Sequence, residues 1–286
     1  MTILLRSSII IFSLLKTLSA LSSPSFLCEG TEASFSPDGK KIAYIYIDNI
    51  WVRNLKGTHR VQITHLQNCH NPCWSANGKK VVFQSYGRYV RHTRKVGHFS
   101  IWIVNTDGSQ AHQISEQTNV EDQGPKWSND NSKIIWTHDK QLWICDTTGK
   151  HPHSFTTLPA KAYENDGIFS PDGRTVAYVR EDRYSVPELW LIDSSSQNQR
   201  FTGMVMHGQC IRWSHDGLFL YYLGSRGIEK INPNNISQAQ YVSDAEGYDA
   251  GNYFDISPDE QFIIYDTSGP EVDNPKIILT KMNDDN

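Results

Sequence analysis

The sequence predicts an all-β fold, a six-bladed β-propeller of four-stranded antiparallel blades. Three observations predict it: a turn phrase that returns six times, a large apolar residue just before each copy, and alternating apolar residues just after it. The phrases begin at Ser36, Ser75, Ser128, Ser170, Ser214 and Ser257, mostly at the roughly 40–45 residue spacing of a propeller blade. The full form is Ser36-Pro37-Asp38-Gly39 and again Ser170-Pro171-Asp172-Gly173. It drifts to Ser75-Ala76-Asn77-Gly78, Ser128-Asn129-Asp130-Asn131, Ser214-His215-Asp216-Gly217 and Ser257-Pro258-Asp259-Glu260, always keeping an acid or amide at the third place.

The phrase suits a type I turn: Ser opens it, Pro has its φ already set, Asp bonds back to the local backbone, and Gly accepts a left-handed conformation. Before it stand Phe35, Trp74, Trp127, Phe169, Trp213 and Ile256, sized to fill the space between neighbouring blades. After it come Ile42/Tyr44, Val81/Phe83, Ile134/Trp136, Val176/Tyr178, Leu220/Tyr222 and Ile263/Tyr265, two apart and therefore on one face of a strand. Third strands are marked by Ile50-Trp51-Val52, Ile101-Trp102-Ile103, Leu142-Trp143-Ile144 and Leu189-Trp190-Leu191, with weaker forms around Ile228 and Ile277. Outer strands are expected to end near Ile63, Ile114, Phe155 and Phe201. The sixth unit runs out soon after Thr280, so Ser25 to Glu29 is expected to supply its outer strand and close the ring, which removes an exposed edge.

Composition narrows the function classes. Across 286 residues, 27 basic and 31 acidic side chains leave a net charge of −4, which gives nucleic acid and anionic lipid no overall field to follow. The first 22 residues read as a signal peptide, because Arg6 precedes the apolar run Ser7 to Leu15, and Ala20-Leu21-Ser22 has the small-x-small form of a cleavage site. The apolar run is too short to span a bilayer, so export without a transmembrane segment, to the periplasm or outside, is expected for the propeller of residues 23–286. Five cysteines, Cys28, Cys69, Cys73, Cys145 and Cys210, are an odd number and predict buried free thiols rather than a disulfide framework.

Phe35-Ser36-Pro37-Asp38-Gly39 and Ile101-Trp102-Ile103-Val104-Asn105-Thr106-Asp107-Gly108 resemble the repeats of the TolB-type propellers over about residues 31–280. Related repeats occur in the propellers of prolyl oligopeptidases and oligogalacturonate lyases. The resemblance implies the propeller part of the family without its N-terminal α/β domain. It also implies that a partner's extended peptide enters the channel mouth.

The segments leading into the innermost strands are expected to ring that mouth. They contain Glu32, Cys69/His70/Asn71, Glu121/Asp122/Gln123, Glu164/Asn165/Asp166, His207/Gln209 and Tyr248/Asp249/Asn252. Of these, His70, Glu121, Asp122, Glu164, Asp166, His207 and Asp249 form the candidate binding site, an acidic rim suited to a basic peptide or a cation. Calcium or another divalent cation in the channel would use Asp and Asn oxygens, although no EF-hand spacing occurs. A basic insertion in the second unit, with Arg88, Arg91, Arg94 and Lys95, is a weaker candidate for an anionic group and reads more plainly as a solvated hairpin. No Gly-x-Ser-x-Gly, His-Glu-x-x-His, phosphate-loop or dinucleotide motif occurs. The expected function is non-enzymatic binding of a protein or peptide of the cell envelope by a monomeric scaffold. The alternative is a metal-dependent carbohydrate-active enzyme, a lyase or lactonase, working in the channel.

Overall fold

The computed structural model describes residues 24–66, 68–86, 98–116, 119–181, 186–195, 198–206, 210–224, 227–243, 253–267 and 274–282. The described residues form six four-stranded antiparallel sheets and no helix. Blade one is β2 (Thr31–Phe35), β3 (Lys41–Tyr46), β4 (Asn49–Asn54) and β5 (Arg60–Gln62), after a separate first strand, β1 (Ser25–Glu29). Blade two is β6 (His70–Trp74), β7 (Lys80–Ser85), β8 (Ser100–Asn105) and β9 (His112–Gln113). Blade three is β10 (Asp122–Trp127), β11 (Lys133–His138), β12 (Gln141–Asp146) and β13 (His153–Ser154). Blade four is β14 (Tyr163–Phe169), β15 (Thr175–Glu181), β16 (Pro187–Asp193) and β17 (Gln199–Val205). Blade five is β18 (Ile211–Trp213), β19 (Leu220–Gly224), β20 (Gly227–Asn232) and β21 (Asn235–Ser243). Blade six is β22 (Phe254–Ile256), β23 (Phe262–Asp266) and β24 (Lys276–Lys281), completed by β1. The first strand of the chain thus pairs with the last, Ser25 opposite Leu279 and Glu29 opposite Lys276, and covers the edge as the sequence predicts.

Every turn phrase closes the hairpin between the first two strands of its blade in one way. The Ser36 hydroxyl donates to Asp38 Oδ1 at 2.6 Å and accepts the Lys41 N–H at 2.9 Å, while Gly39 N–H donates to the Ser36 carbonyl. The other five phrases repeat the Ser-to-acid or Ser-to-amide bond.

Neighbouring turns also touch, which explains how the phrase drifts. The ring of Pro258 lies against Gly39, that of Pro37 against Gly78, and that of Pro171 against Gly217. Proline at the second place thus meets glycine at the fourth place of the next blade. Where that glycine is replaced, a hydrogen bond takes over: Asn131 Oδ1 accepts the N–H of Asn77, at the third place, and Glu260 Oε1 accepts the N–H of His215, at the second place, which a proline there would lack.

The apolar residues before the turns fill the seams. Phe35, Trp74, Trp127 and Phe169 are buried, and Trp213 and Ile256 are half-buried. The three tryptophans add a polar tie, each indole N–H reaching a carbonyl of the preceding blade: Trp74 to Ser34, Trp127 to Cys73 and Trp213 to Ile168.

Candidate functional site

The innermost strands β2, β6, β10, β14, β18 and β22 face the channel, and the register of each is fixed by its seam residue. Strand side chains alternate, so with that residue turned into the seam, its neighbour one place upstream turns to the channel. These neighbours are Ser34, Cys73, Lys126, Ile168, Arg212 and Asp255, and all six line a cavity of about 190 Å³ on the side of the turns. Three places upstream stand Glu32, Asn71, Gly124, Asp166, Cys210 and Tyr253. Five of these six, all but Glu32, line a second cavity of about 160 Å³ toward the opposite mouth.

In the first four blades the second position is also a bulge. Pairing shifts register between Thr31 and Ser34, His70 and Cys73, Gln123 and Lys126, and Asn165 and Ile168. The backbone is left-handed at Glu32, Asn71, Gly124 and Asp166, with φ between 48° and 59°. One extra residue reverses the facing of everything upstream. For this reason Asp122 and Glu164, which simple alternation would turn into the channel, are 0% exposed and held by other groups. Asp122 Oδ1 bonds His138 Nδ1 at 2.7 Å and accepts the Trp136 indole N–H at 3.0 Å. Glu164 Oε1 accepts from Arg180 Nη2 at 2.5 Å and Nε at 3.1 Å, while Oε2 accepts the Leu142 N–H and the Thr156 hydroxyl.

The rim carboxylates are likewise engaged. Glu32 bonds His70 Nδ1 at 2.7 Å and accepts the Asn71 N–H, joining blade one to blade two. Glu121 bonds His98 Nδ1 at 3.2 Å and accepts the Phe99 N–H at 2.7 Å, joining blade three to blade two. Burial works against a charged His70 ring, but the hydrogen bond and charge of Glu32 prevail and hold its pKa above the ordinary histidine value.

Among the described candidate acids, Asp166 stands in the channel, and it is neutralised there. Its Oδ2 accepts the Ile211 N–H at 2.7 Å, Lys126 Nζ lies 3.4 Å from Oδ1, and Arg212 Nη1 lies 3.7 Å from Oδ2. Arg212 Nε also meets Asp255 Oδ1 at 3.0 Å. Tyr253 completes the layer: it accepts from Lys126 Nζ at 3.3 Å, donates to Asn71 Oδ1, and offers its ring to the Arg212 guanidinium 5.4 Å from its centroid. Burial opposes a charge on Lys126 and Arg212, yet the surrounding anions and Tyr253 hold both pKa values above the ordinary range. No local motif marks the basic residues Lys126 and Arg212 or the phenol Tyr253, but counting back one and three places from each seam residue finds them.

The mouth cavity above this layer is therefore walled by neutral or neutralised groups. Its lining is Asn71, Gln123, Gly124, Thr137, Tyr163, Asn165, Asp166, Cys210, Leu223 and Tyr253. Tyr163 donates to Gln123 Oε1 at 3.2 Å, and Thr137 donates to the Glu164 carbonyl at 3.0 Å. Asn71 donates to Gln84 Oε1 at 3.0 Å, which also accepts the Gly124 N–H. Asn165 differs: it is 8% exposed, and neither Nδ2 nor Oδ1 has a hydrogen-bond partner. Leaving buried polar atoms unpaired costs roughly 1–3 kcal/mol each.

Burial raises the thiol of Cys210 to about 11 and lifts the Tyr253 phenol above its ordinary range, so both are neutral near pH 7. Among the described residues no three of His, Cys, Asp and Glu gather into a set that could hold a metal. His207 and Asp249, the basic residues Arg88, Arg91, Arg94 and Lys95, and the N-terminal 22 residues lie outside the described residues. No described helix is long and apolar enough to cross a membrane. All five cysteines are free.

The fold is shared with proteins of several activities. The chain is similar to an oligogalacturonate lyase in complex with manganese, at 16% identity and TM-score 0.63, covering 88% of this chain and 77% of that one. It is similar to a putative TolB from Agrobacterium tumefaciens at 13% identity and TM-score 0.61, covering 91% of each chain. A gluconolactonase from Xanthomonas campestris is similar at 14% identity and TM-score 0.63, covering 93% of this chain and 92% of that one. At these identities the likeness is one of fold. No curated protein matches the chain in sequence. The model of the TolB beta propeller domain matches residues 30–182, more than half the sequence. With six blades, a closing first strand and these repeats, the chain belongs to the TolB beta propeller domain family.

Proposed function

We propose that the protein is a non-catalytic propeller of the cell envelope, periplasmic or secreted, that receives an extended segment of a protein partner at its channel mouth. The observation that supports this most is the chemistry of the mouth cavity. Its amides and hydroxyls are spaced around a floor of ion pairs that balance one another, a surface suited to the neutral donors and acceptors of a peptide. A basic segment, which an acidic rim would favour, finds Glu32, Glu121, Asp122, Glu164 and Asp166 already paired. The thiol and the phenol of the cavity are held neutral, the form in which they are poor nucleophiles. Membership of the TolB beta propeller domain family agrees with a binding role.

The test is capture from an envelope extract by the immobilised full chain. Gln123 is half-exposed at the mouth, and Gln123→Trp should fill it, whereas Lys56→Trp lies on exposed surface elsewhere. Asp122→Ala and Glu164→Ala are unsuitable, because both side chains are buried in seams. The reading expects partners retained by the parent and by Lys56→Trp to be lost by Gln123→Trp. Retention that survives Gln123→Trp would overturn it.

A second reading, a metal-dependent lyase or lactonase acting on carbohydrate, is favoured by the shared fold of the manganese-bound lyase and the gluconolactonase. Metal analysis of the purified protein, with turnover of oligogalacturonate and gluconolactone after adding manganese or calcium, separates the two. Saturable turnover would establish the enzyme reading; none under those conditions would leave the binding role.

A further inference from the structure

The one Asn-x-Ser/Thr triplet in the sequence is Asn235-Ile236-Ser237, at the start of β21. Such a triplet accepts an N-linked glycan when it lies on the surface of an exported chain. Strand geometry puts it on the surface here. Ile236 turns inward and packs against the core between blades four and five, its Cδ1 lying over Gly203. Asn235 and Ser237, one place to either side, therefore share the outward face, and both are exposed.

The bonds within the triplet leave the acceptor nitrogen open. Asn235 Oδ1 accepts the Ser237 hydroxyl at 2.8 Å and the Ser237 N–H at 3.4 Å. Among the described residues, both side-chain hydrogen bonds of Asn235 thus fall on the oxygen and none on Nδ2. A glycan replaces one hydrogen of that nitrogen and keeps the carbonyl, so the turn holds its bonds with the sugar attached. Asn232 pairs with Asn235 across Pro233-Asn234, and Arg200 Nη2 of blade four donates to Asn234 Oδ1, which fixes the hairpin.

The position suits a cover. β19 runs from the turn phrase to the mouth and β20 returns, so β21 begins on the turn face, away from the mouth cavity. The outer strands of blades one to three have two or three residues, whereas β21 has nine and contains no charged residue and no proline. An uncharged outer strand of that length invites pairing with another chain, which a bulky hydrophilic group beside it hinders.

We infer that Asn235 is the acceptor of an N-linked glycan that covers the outer edge of blade five. Its Nδ2 attacks C1 of the first sugar of a polyprenyl-diphosphate-linked oligosaccharide. The C1–O bond breaks, polyprenyl diphosphate leaves, and the nitrogen gives one proton to a base of the transferase. This rests on the export part of the proposed function and not on the partner.

The experiment translates the full chain with microsomes that hold an oligosaccharyltransferase and its lipid-linked donor, and protease protection reports translocation. The protected chain should show a single upward shift in mass, reversed by a peptide N-glycosidase, kept by Ser237→Thr and lost in Asn235→Gln and Ser237→Ala. Removing the glycan from the folded protein should leave the melting temperature unchanged and increase self-association in size-exclusion chromatography.

A protected chain without the shift, or a shift that survives Asn235→Gln, would overturn the inference and leave export standing. An unprotected chain would remove the export reading instead; an unrelated cleavable signal sequence in place of residues 1–22 then decides, a shift keeping the acceptor and its absence refuting it. Self-association unchanged by deglycosylation would keep the acceptor and refute the covering role.

Discussion

Arg180→Leu should cost the propeller about 3–5 kcal/mol, the loss that follows when one member of a buried ion pair is removed and the other stays. Glu164 is 0% exposed, and both of its contacts with a cation, at 2.5 and 3.1 Å, come from Arg180. Without the guanidinium, its remaining donors are the Thr156 hydroxyl and the Leu142 N–H, which are dipoles and not charges. The guanidinium also lies 4.1 Å from the centroid of the Trp190 ring, a contact that leucine replaces only in part. For a domain of this size each kcal/mol moves the midpoint by roughly 2 °C, so a fall of roughly 6–10 °C is expected. Urea denaturation followed by tryptophan fluorescence, with calorimetry alongside, reads both quantities. Glu164→Gln combined with Arg180→Leu should recover part of the loss, since a neutral amide needs no counter-ion. A loss below about 1 kcal/mol, the range of an exposed pair, would refute the reasoning and return Glu164 to a solvated rim.

Three further outcomes follow from particular contacts. His70 has a raised pKa in the fold, so its pairing with Glu32 contributes stability that is full below the unfolded histidine value of about 6.5. That contribution is lost as pH rises through the raised folded value; melting curves from pH 5 to 8 should show the decline, and His70→Gln should flatten it. His215→Pro removes the N–H that Glu260 accepts and should cost about 1 kcal/mol, while Glu260→Gly in the same chain should restore the Pro-against-Gly packing of other blades, both read by thermal melting. Burial raises the thiols of Cys69 and Cys210 to about 11 and of Cys145 to about 12, so an aromatic disulfide reagent at pH 8 should label them slowly in the native protein and all five promptly in denaturant.

How far the sequence discloses this molecule depends on whether a feature is local or set by register. The turn phrases, the seam residues and the alternating second strands are local patterns, and each appears where its spacing places it. The closing role of Ser25 to Glu29 follows from the sixth blade lacking a strand. The indole ties to Ser34, Cys73 and Ile168 cross between blades and have no trace in a single repeat.

The channel lining is harder for a definite reason. Acidic residues near the start of several innermost strands suggest a charged rim, but a bulge at Glu32, Asn71, Gly124 and Asp166 reverses the facing upstream. Asp122 and Glu164 consequently turn into seams, and Lys126, Arg212 and Tyr253 occupy the centre. Gly-Pro in blade three and Asp-Gly in blade four are the traces such bulges leave in the sequence, where a left-handed residue is required.

The central claim is that a partner segment occupies the mouth above the Lys126, Asp166, Arg212 and Tyr253 layer. A photo-crosslinking residue in place of Gln123, compared with one in place of exposed Ser132 on the turn face, tests it most directly in intact cells. The account predicts a discrete adduct from position 123 that maps to one extended segment of one protein, and none from position 132. Adducts from position 132 alone, or none from position 123 at matched expression, would contradict it.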